Sequence, residues 1–251
     1  GAGGFTRARK IVKKLIINQC LKAILMLSLA LIAAGCTSTV SKRADNMQAD
    51  AAVGRGKTVV ILKADIELYE LQASGMAEPR ADWTQSASVN VSEAIESELA
   101  ARGVKVVQAA KITGKPDPRV RQLELLSTTV GNAILQHEIA PYGRLPHRAR
   151  TFDWRIGPGA SVLRERYQAD YALATVVRDS YATGGRKAVM VVGMILGVSA
   201  PLGSQKAYTT LVDLNTGKVI WVNYLSSEDG DLRELTPARK AIKSLLSGMP
   251  L

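Results

Sequence analysis

Apolar positions along this chain alternate in some segments and recur at helical spacing in others. Residues 58–71 begin with the continuous run Val59, Val60, Ile61 and Leu62. Ala64, Ile66 and Leu68 then alternate with Lys63, Asp65 and Glu67. That pattern predicts a strand buried at its start and wet on one face farther on. Gly75 and Pro79 mark the loop after it. Residues 84–102 carry Ala87, Val91, Ala94, Ile95 and Leu99 as one stripe, with Gly103 as the stop of an amphipathic helix. Residues 104–108 form a short second strand. Asp117-Pro118 offers an N-cap with proline at the first helical position, and Val120, Leu123, Leu126, Val130 and Ile134 give the apolar face.

The second half begins with a loop over 140–159, rich in Pro, Gly and Arg, and a short helix over 160–167. Residues 170–177 are apolar or small on both faces, which predicts a central strand. Thr183-Gly184-Gly185 breaks the chain before AVMVVGMILGV at 188–198. That segment reads as a core helix whose glycines permit close packing. The alternative is an apolar patch that meets lipid or another subunit. Residues 206–214 and 218–225 make a hairpin around Asn215-Thr216-Gly217. Thr236-Pro237 caps a last helix that buries Ala238, Ala241, Ile242, Leu245 and Leu246. The fold class is therefore α/β (α+β): one domain with a mixed sheet of about five strands and helices packed on it.

The N-terminal pattern is different. Residues 1–35 hold Arg7, Arg9, Lys10, Lys13, Lys14 and Lys22 and no acid, and residues 23–34 form an apolar run interrupted only by Ser28. The run is too short to span a bilayer and has the length of a secretory h-region. Ile32-Ala33-Ala34-Gly35-Cys36 resembles a lipobox, with Ala33 where Leu is commoner. The resemblance implies cleavage between Gly35 and Cys36 and acyl chains on Cys36, enough for stable anchoring. Thr37 and Ser38 follow the cysteine with no Asp, which resembles an outer-membrane sorting signal. The expected division is a lipoprotein signal peptide over 1–35, a flexible tether over 36–56 and a periplasmic α/β domain over 57–251.

Composition then changes meaning. The net charge is +11, but without the signal 27 Lys and Arg face 22 Asp and Glu, a net of +5. That is weak support for nucleic-acid binding, which needs a basic face. Cys20 leaves with the signal and Cys36 would be acylated, so no thiol remains for a disulfide, a metal site or catalysis.

Chemical motifs are sparse. AAVGRGKT at 51–58 ends like a Walker A loop but has Ala51 where Gly is required and runs into a strand rather than a helix. His137-Glu138-Ile139-Ala140-Pro141 starts like a zinc-protease helix, but Pro141 stands at the second histidine and only His147 remains elsewhere. Glu228-Asp229-Gly230-Asp231 lacks calcium-loop spacing. Asp65, Glu67 and Asp179 are carboxylates that a fold could bring together. No metal or cofactor is expected.

Two groups remain as candidate sites. Arg178, Asp179, Ser180 and Tyr181 sit where a buried strand leaves the core, and α/β proteins place sites at strand ends. The competing reading is an Arg–Asp pair closing a turn. Arg144, His147, Arg148, Arg150 and Trp154 share a loop whose arginines and aromatics suit a partner surface. The competing reading is a solvated loop with Phe152 and Trp154 as core anchors.

Residues 57–247 resemble, in pattern, a module of curli-secretion lipoproteins, penicillin-binding-protein activator lipoproteins and the amino-terminal domain of the Tol translocation protein. The likeness lies in VVILKADIELYEL, SVNVSEAIESELAARG, VKVV, DYALATVVRDSYA and KAYTTLVDLNTGKVIWVNYL. It implies a non-enzymatic lipoprotein on the periplasmic face of the outer membrane. Such a protein would bind or position an envelope partner in assembly, secretion or peptidoglycan synthesis. The alternative it implies is a self-assembling pore or ring subunit, for which 188–202 would have to reach the membrane. Expected partners are thus the membrane, through Cys36, and an envelope protein or further copies, with no nucleic acid.

Overall fold

A computed structural model describes residues 37–44, 56–114, 117–140, 143, 145, 151–197, 202–228 and 230–251. The signal, Gly35 and Cys36 lie outside these residues. The fold is organised around one long strand, β7 (Tyr171–Ala182). Val-, Ala- and Leu-rich on both faces, it suits the middle of a sheet covered on both sides. Along its first edge run β2 (Thr58–Ile61) and β3 (Asp65–Leu71), both parallel to it. These are the single strand expected over 58–71, interrupted by one extra residue: Ile61 lies opposite Leu173, but Asp65 lies opposite Val176. Such a bulge bends the strand and raises its twist.

The sheet order is β1-β9-β8-β7-β2-β5, with open edges at β1 (Thr37–Arg43) and β5 (Lys105–Gln108). β8 (Gln205–Asp213) and β9 (Lys218–Ser227) form the expected hairpin, and Gly217 takes a positive φ of 68° in its turn. The five predicted strands thus form the body of a mixed sheet. β4 (Ala77–Pro79) adds a short hairpin arm to β3, and β6 (Trp154–Arg155) pairs with the start of β9.

β1 is the departure from expectation. Residues 37–43 fall in the segment read as a tether, yet they pair antiparallel with β9 along seven positions, from Thr37↔Ser227 to Arg43↔Trp221. Their polar, small side chains gave no strand pattern because most of them are exposed. The backbone of an otherwise open β9 edge supplies the pairing. Residues 45–55 of the expected tether lie outside the described residues.

Each face of the sheet has its own core. On one face α1 (Ala81–Ala101) and α5 (Leu235–Leu245) cover Val59, Ile61, Leu68, Leu173, Leu211 and Trp221. The predicted stripe of α1 is the buried one, and Gly103 follows its end at φ 74°. The N-cap of α5 is Glu234, two residues before the expected Thr236. Asn223 of β9 donates to the Ser244 carbonyl (3.3 Å) and the Leu245 carbonyl (2.9 Å). It thereby satisfies acceptors that a helix end leaves open and ties α5 to the sheet.

On the other face α2 (Pro118–Ile134) and α3 (Ala160–Tyr167) cover Val60, Ala172, Val212 and Val222. Asp117 caps α2 as expected, accepting from the Arg119 amide at 2.9 Å. Its buried face, however, is Val120, Leu123, Ser127, Gly131 and Ile134, and Leu126 is exposed. Small residues replace the expected apolar ones because Tyr208 packs directly on Gly131 and donates to the Thr128 carbonyl at 3.0 Å.

The last helix, α4 (Gly184–Ile195), corrects the expectation of a core helix at 188–198. Val189, Val191, Val192, Met194 and Leu196 are exposed. α4 leaves the end of β7 and returns at Leu202, whose carbonyl accepts from the Ala182 amide. Among the residues of α4 whose burial is described, Arg186, Met190 and Gly193 are half-buried. Among the described residues no helix is long and apolar enough to cross a membrane.

Candidate functional site

Arg178, Asp179, Ser180 and Tyr181 are not beyond the strand, as expected, but inside β7. Successive strand residues point to opposite faces, so the four do not converge. Arg178 faces the α2 side of the sheet. Its guanidinium bonds the Asp65 carboxylate at 2.9 Å and the Asp65 carbonyl at 3.0 Å, and approaches Glu67 at 3.3 Å. The local Arg–Asp pair expected to close a turn does not form, because Arg178 takes its acid from Asp65 of the neighbouring β3. Asp179 and Tyr181 face the other way. Asp65 and Glu67 therefore form no carboxylate pair with Asp179.

Asp179 and Tyr181 lie in a cleft of about 450 Å³ at the end of the sheet, lined also by Trp83, Lys187, Gln205 and Asp231. Asp179 is 2 % exposed. Its carboxylate accepts from the Ser180 amide (2.7 Å), the Tyr181 hydroxyl (2.5 Å) and the Gln205 amide (3.0 Å). Burial pushes its pKa up to about 6, against the pull of these three donors. Burial, with the Asp179 charge beside it, also pushes Tyr181 well above the usual phenol range. The Tyr181 oxygen accepts from the Leu232 amide at 2.8 Å, which holds the chain before α5 against β7.

Trp83, from the first turn of α1, forms the wall. Arg80 and Arg233 each place a guanidinium 4.3 Å from its ring, and Arg233 also lies 4.4 Å from the Tyr181 ring. The two rings meet edge-on at 5.9 Å. Arg80 is held by Glu70 (2.7 Å) and Asp82 (2.8 Å), and Arg233 by Asp231 (2.5 Å). Burial would raise Asp231, but its bonds from Arg233 leave the carboxyl below the usual range. Cations stacked on aromatic faces and closed by carboxylates make a rigid, internally neutralised wall. Chemically the cleft can seat a polar group against Lys187 and the strand ends. Asp179 is already engaged with Tyr181, and Asp231 with Arg233. Among the described residues no cluster of His, Cys, Asp and Glu is placed to hold a metal ion.

Sequence reading missed Arg80, Trp83, Gln205 and Arg233. Their signal is weak because the cleft joins residues as distant in the chain as Glu70 and Arg233, which no local pattern connects.

Of the expected partner surface, Arg144, His147, Arg148 and Arg150 lie outside the described residues. Trp154 is half-buried: its indole N–H donates to Glu138 at 3.1 Å, and its ring lies parallel to His137 at 6.4 Å. Glu138 also pairs with Lys42 of β1 at 2.8 Å. With Phe152 buried, the aromatics of this loop are anchors.

No family model and no curated protein sequence matches the chain. Among solved structures, the chain is similar to two forms of one protein. One is a PelC dodecamer from Paraburkholderia phytofirmans, with TM-score 0.40, 14 % identity and 84 % of this chain aligned to 96 % of that one. The other is a dodecamer of a point variant of the same protein, with TM-score 0.41 and the same identity and coverage.

Proposed function

We propose that this chain is a lipid-anchored, non-enzymatic envelope protein on the periplasmic face of the outer membrane, which binds or positions a protein partner there. The observation that carries this reading is the lipobox-like Ile32-Ala33-Ala34-Gly35-Cys36, followed at once by Thr37, the first residue of β1. Acylation of Cys36 would join the lipid directly to an edge strand. A binding role is supported by the cleft around Asp179, where Arg80, Arg233, Asp179 and Asp231 are each held by a neighbour and Lys187 stands exposed. In cells supplied with radiolabelled palmitate, the protein is expected to take up label and sediment with outer membranes, and Cys36→Ser is expected to remove both properties. An unlabelled wild-type protein would overturn the anchor.

A second reading, a self-assembling ring subunit, is favoured by one observation, the exposed apolar surface of α4. In that case α4 would lie between copies.

A further inference from the structure

Exposed apolar side chains are normal when scattered and informative when gathered. Of the 13 large hydrophobic residues that are exposed among the described ones, six fall between Val189 and Leu202. Val192 is 58 % exposed and Leu196 75 %, and Met76, in the turn between β3 and β4, is 66 % exposed. This turn abuts α4, since the Arg186 guanidinium donates to the Gln72 carbonyl at 3.4 Å. The half-buried positions Arg186, Met190 and Gly193 are spaced four and three apart and mark the inner face of the helix. Its outer face is therefore the apolar one. α4 contains no acid, and Lys187 is exposed in its first turn.

The position of this helix says what covers it. Thr37 pairs with Ser227, and Ser227 pairs with Gln205. Just before Gln205, Gly203 bridges Tyr181, two residues ahead of Thr183, the cap of α4. The first residue after the lipobox cysteine and both ends of the α4 excursion thus share one end of four adjacent strands. Three strand spacings, roughly 14 Å, separate them. A bilayer that receives acyl chains at that end meets α4 as well. Its 12 residues make a helix about 18 Å long, too short to cross ~30 Å of hydrocarbon and suited to lying in the interface.

We propose that α4 is a membrane-surface contact, its Val189, Val192 and Leu196 side seated among lipid chains beside the acylated Cys36. This rests on the anchored reading above. A head-to-tail contact with a second copy is the lesser fit, because among the described residues the other exposed hydrophobics, such as Val89, Ile112 and Leu125, are dispersed.

The test uses the full acylated chain in phosphatidylethanolamine–phosphatidylglycerol vesicles, with an environment-sensitive fluorophore on Val192→Cys. A control carries it on Thr216→Cys, at the opposite end of the sheet. Once the signal is removed and Cys36 is acylated, the introduced thiol is the one available. Expected are a blue shift at position 192, loss of its emission with chain-brominated lipid, and neither change at 216. Vesicle-bound protein with an unquenched probe at 192 would overturn the contact and leave the anchor standing. A blue shift without bromine quenching, accompanied by energy transfer between copies, would assign the face to a second subunit instead. Protein that fails to acylate and stays off the vesicles would remove both the anchor and the contact.

Discussion

Asp179 is the residue on which the end of the sheet turns. Its folded pKa of about 6 stands above the ordinary 3.8 because burial penalises the charged form. Between those two values the folded state holds more protons than the unfolded chain. Stability from this group is therefore fully present below about pH 4 and lost as pH rises through about 6. The shift corresponds to a difference on the order of 3 kcal/mol. Asp179→Asn keeps one side-chain oxygen, which can serve the Ser180 amide or the Tyr181 and Gln205 donors but not both sides, and it cannot ionise. The difference in urea midpoint between the two proteins should then move in favour of the variant from pH 4 to pH 7. Parallel profiles would show that Asp179 does not titrate in this range. Its neighbour in sequence, Arg178, serves the other face of the sheet, and a period of two is the whole reason.

At the scale of elements, α1, α3 and the β8–β9 hairpin were legible because each is specified locally, by a stripe, a break or a turn glycine. β1 and α4 were not. β1 has no buried pattern of its own and exists because β9 presents an open edge. A variant lacking Thr37–Arg43 should therefore lose stability by chemical denaturation. Its seven register pairs contribute ~0.2–1 kcal/mol each. An unchanged midpoint would mean that the segment behaves as a tether after all. α4 was misjudged for a related reason. Hydrophobicity says that a helix avoids water, and it does not say whether the sheet has room for it. Both faces of β7 are already covered by α1 and α5 and by α2, so the extra helix is left outside.

For the molecule as a whole, the two sheet ends differ in character. One end carries Thr37, the Asp179 cleft, Met76 and α4, and the other carries the polar Asn215-Thr216-Gly217 turn. If the acylated end rests on the membrane, the cleft lies close to it, and a partner that enters the cleft approaches along the membrane surface. Insertion of a Gly/Ser segment of about 20 residues between Cys36 and Thr37 would give the domain roughly 25 Å of slack. Such a variant should still be acylated, while the probe at Val192 loses part of its quenching by brominated lipid. Quenching equal to that of the uninserted protein would show that α4 holds the membrane without help from the anchor.

The sequence by itself determined the fold class, most helix and strand boundaries and the lipobox-like Cys36, because periodicity, caps and turn residues act over a few neighbours. It also singled out the 178–181 strand end. Only the tertiary structure decided that these four residues serve two faces, that Trp83 and Arg233 complete the cleft with Asp179, that residues 37–43 are a strand and that α4 is uncovered. Each of those depends on what lies across the sheet. That is set by competition for buried surface and open hydrogen-bonding edges between segments far apart in the chain.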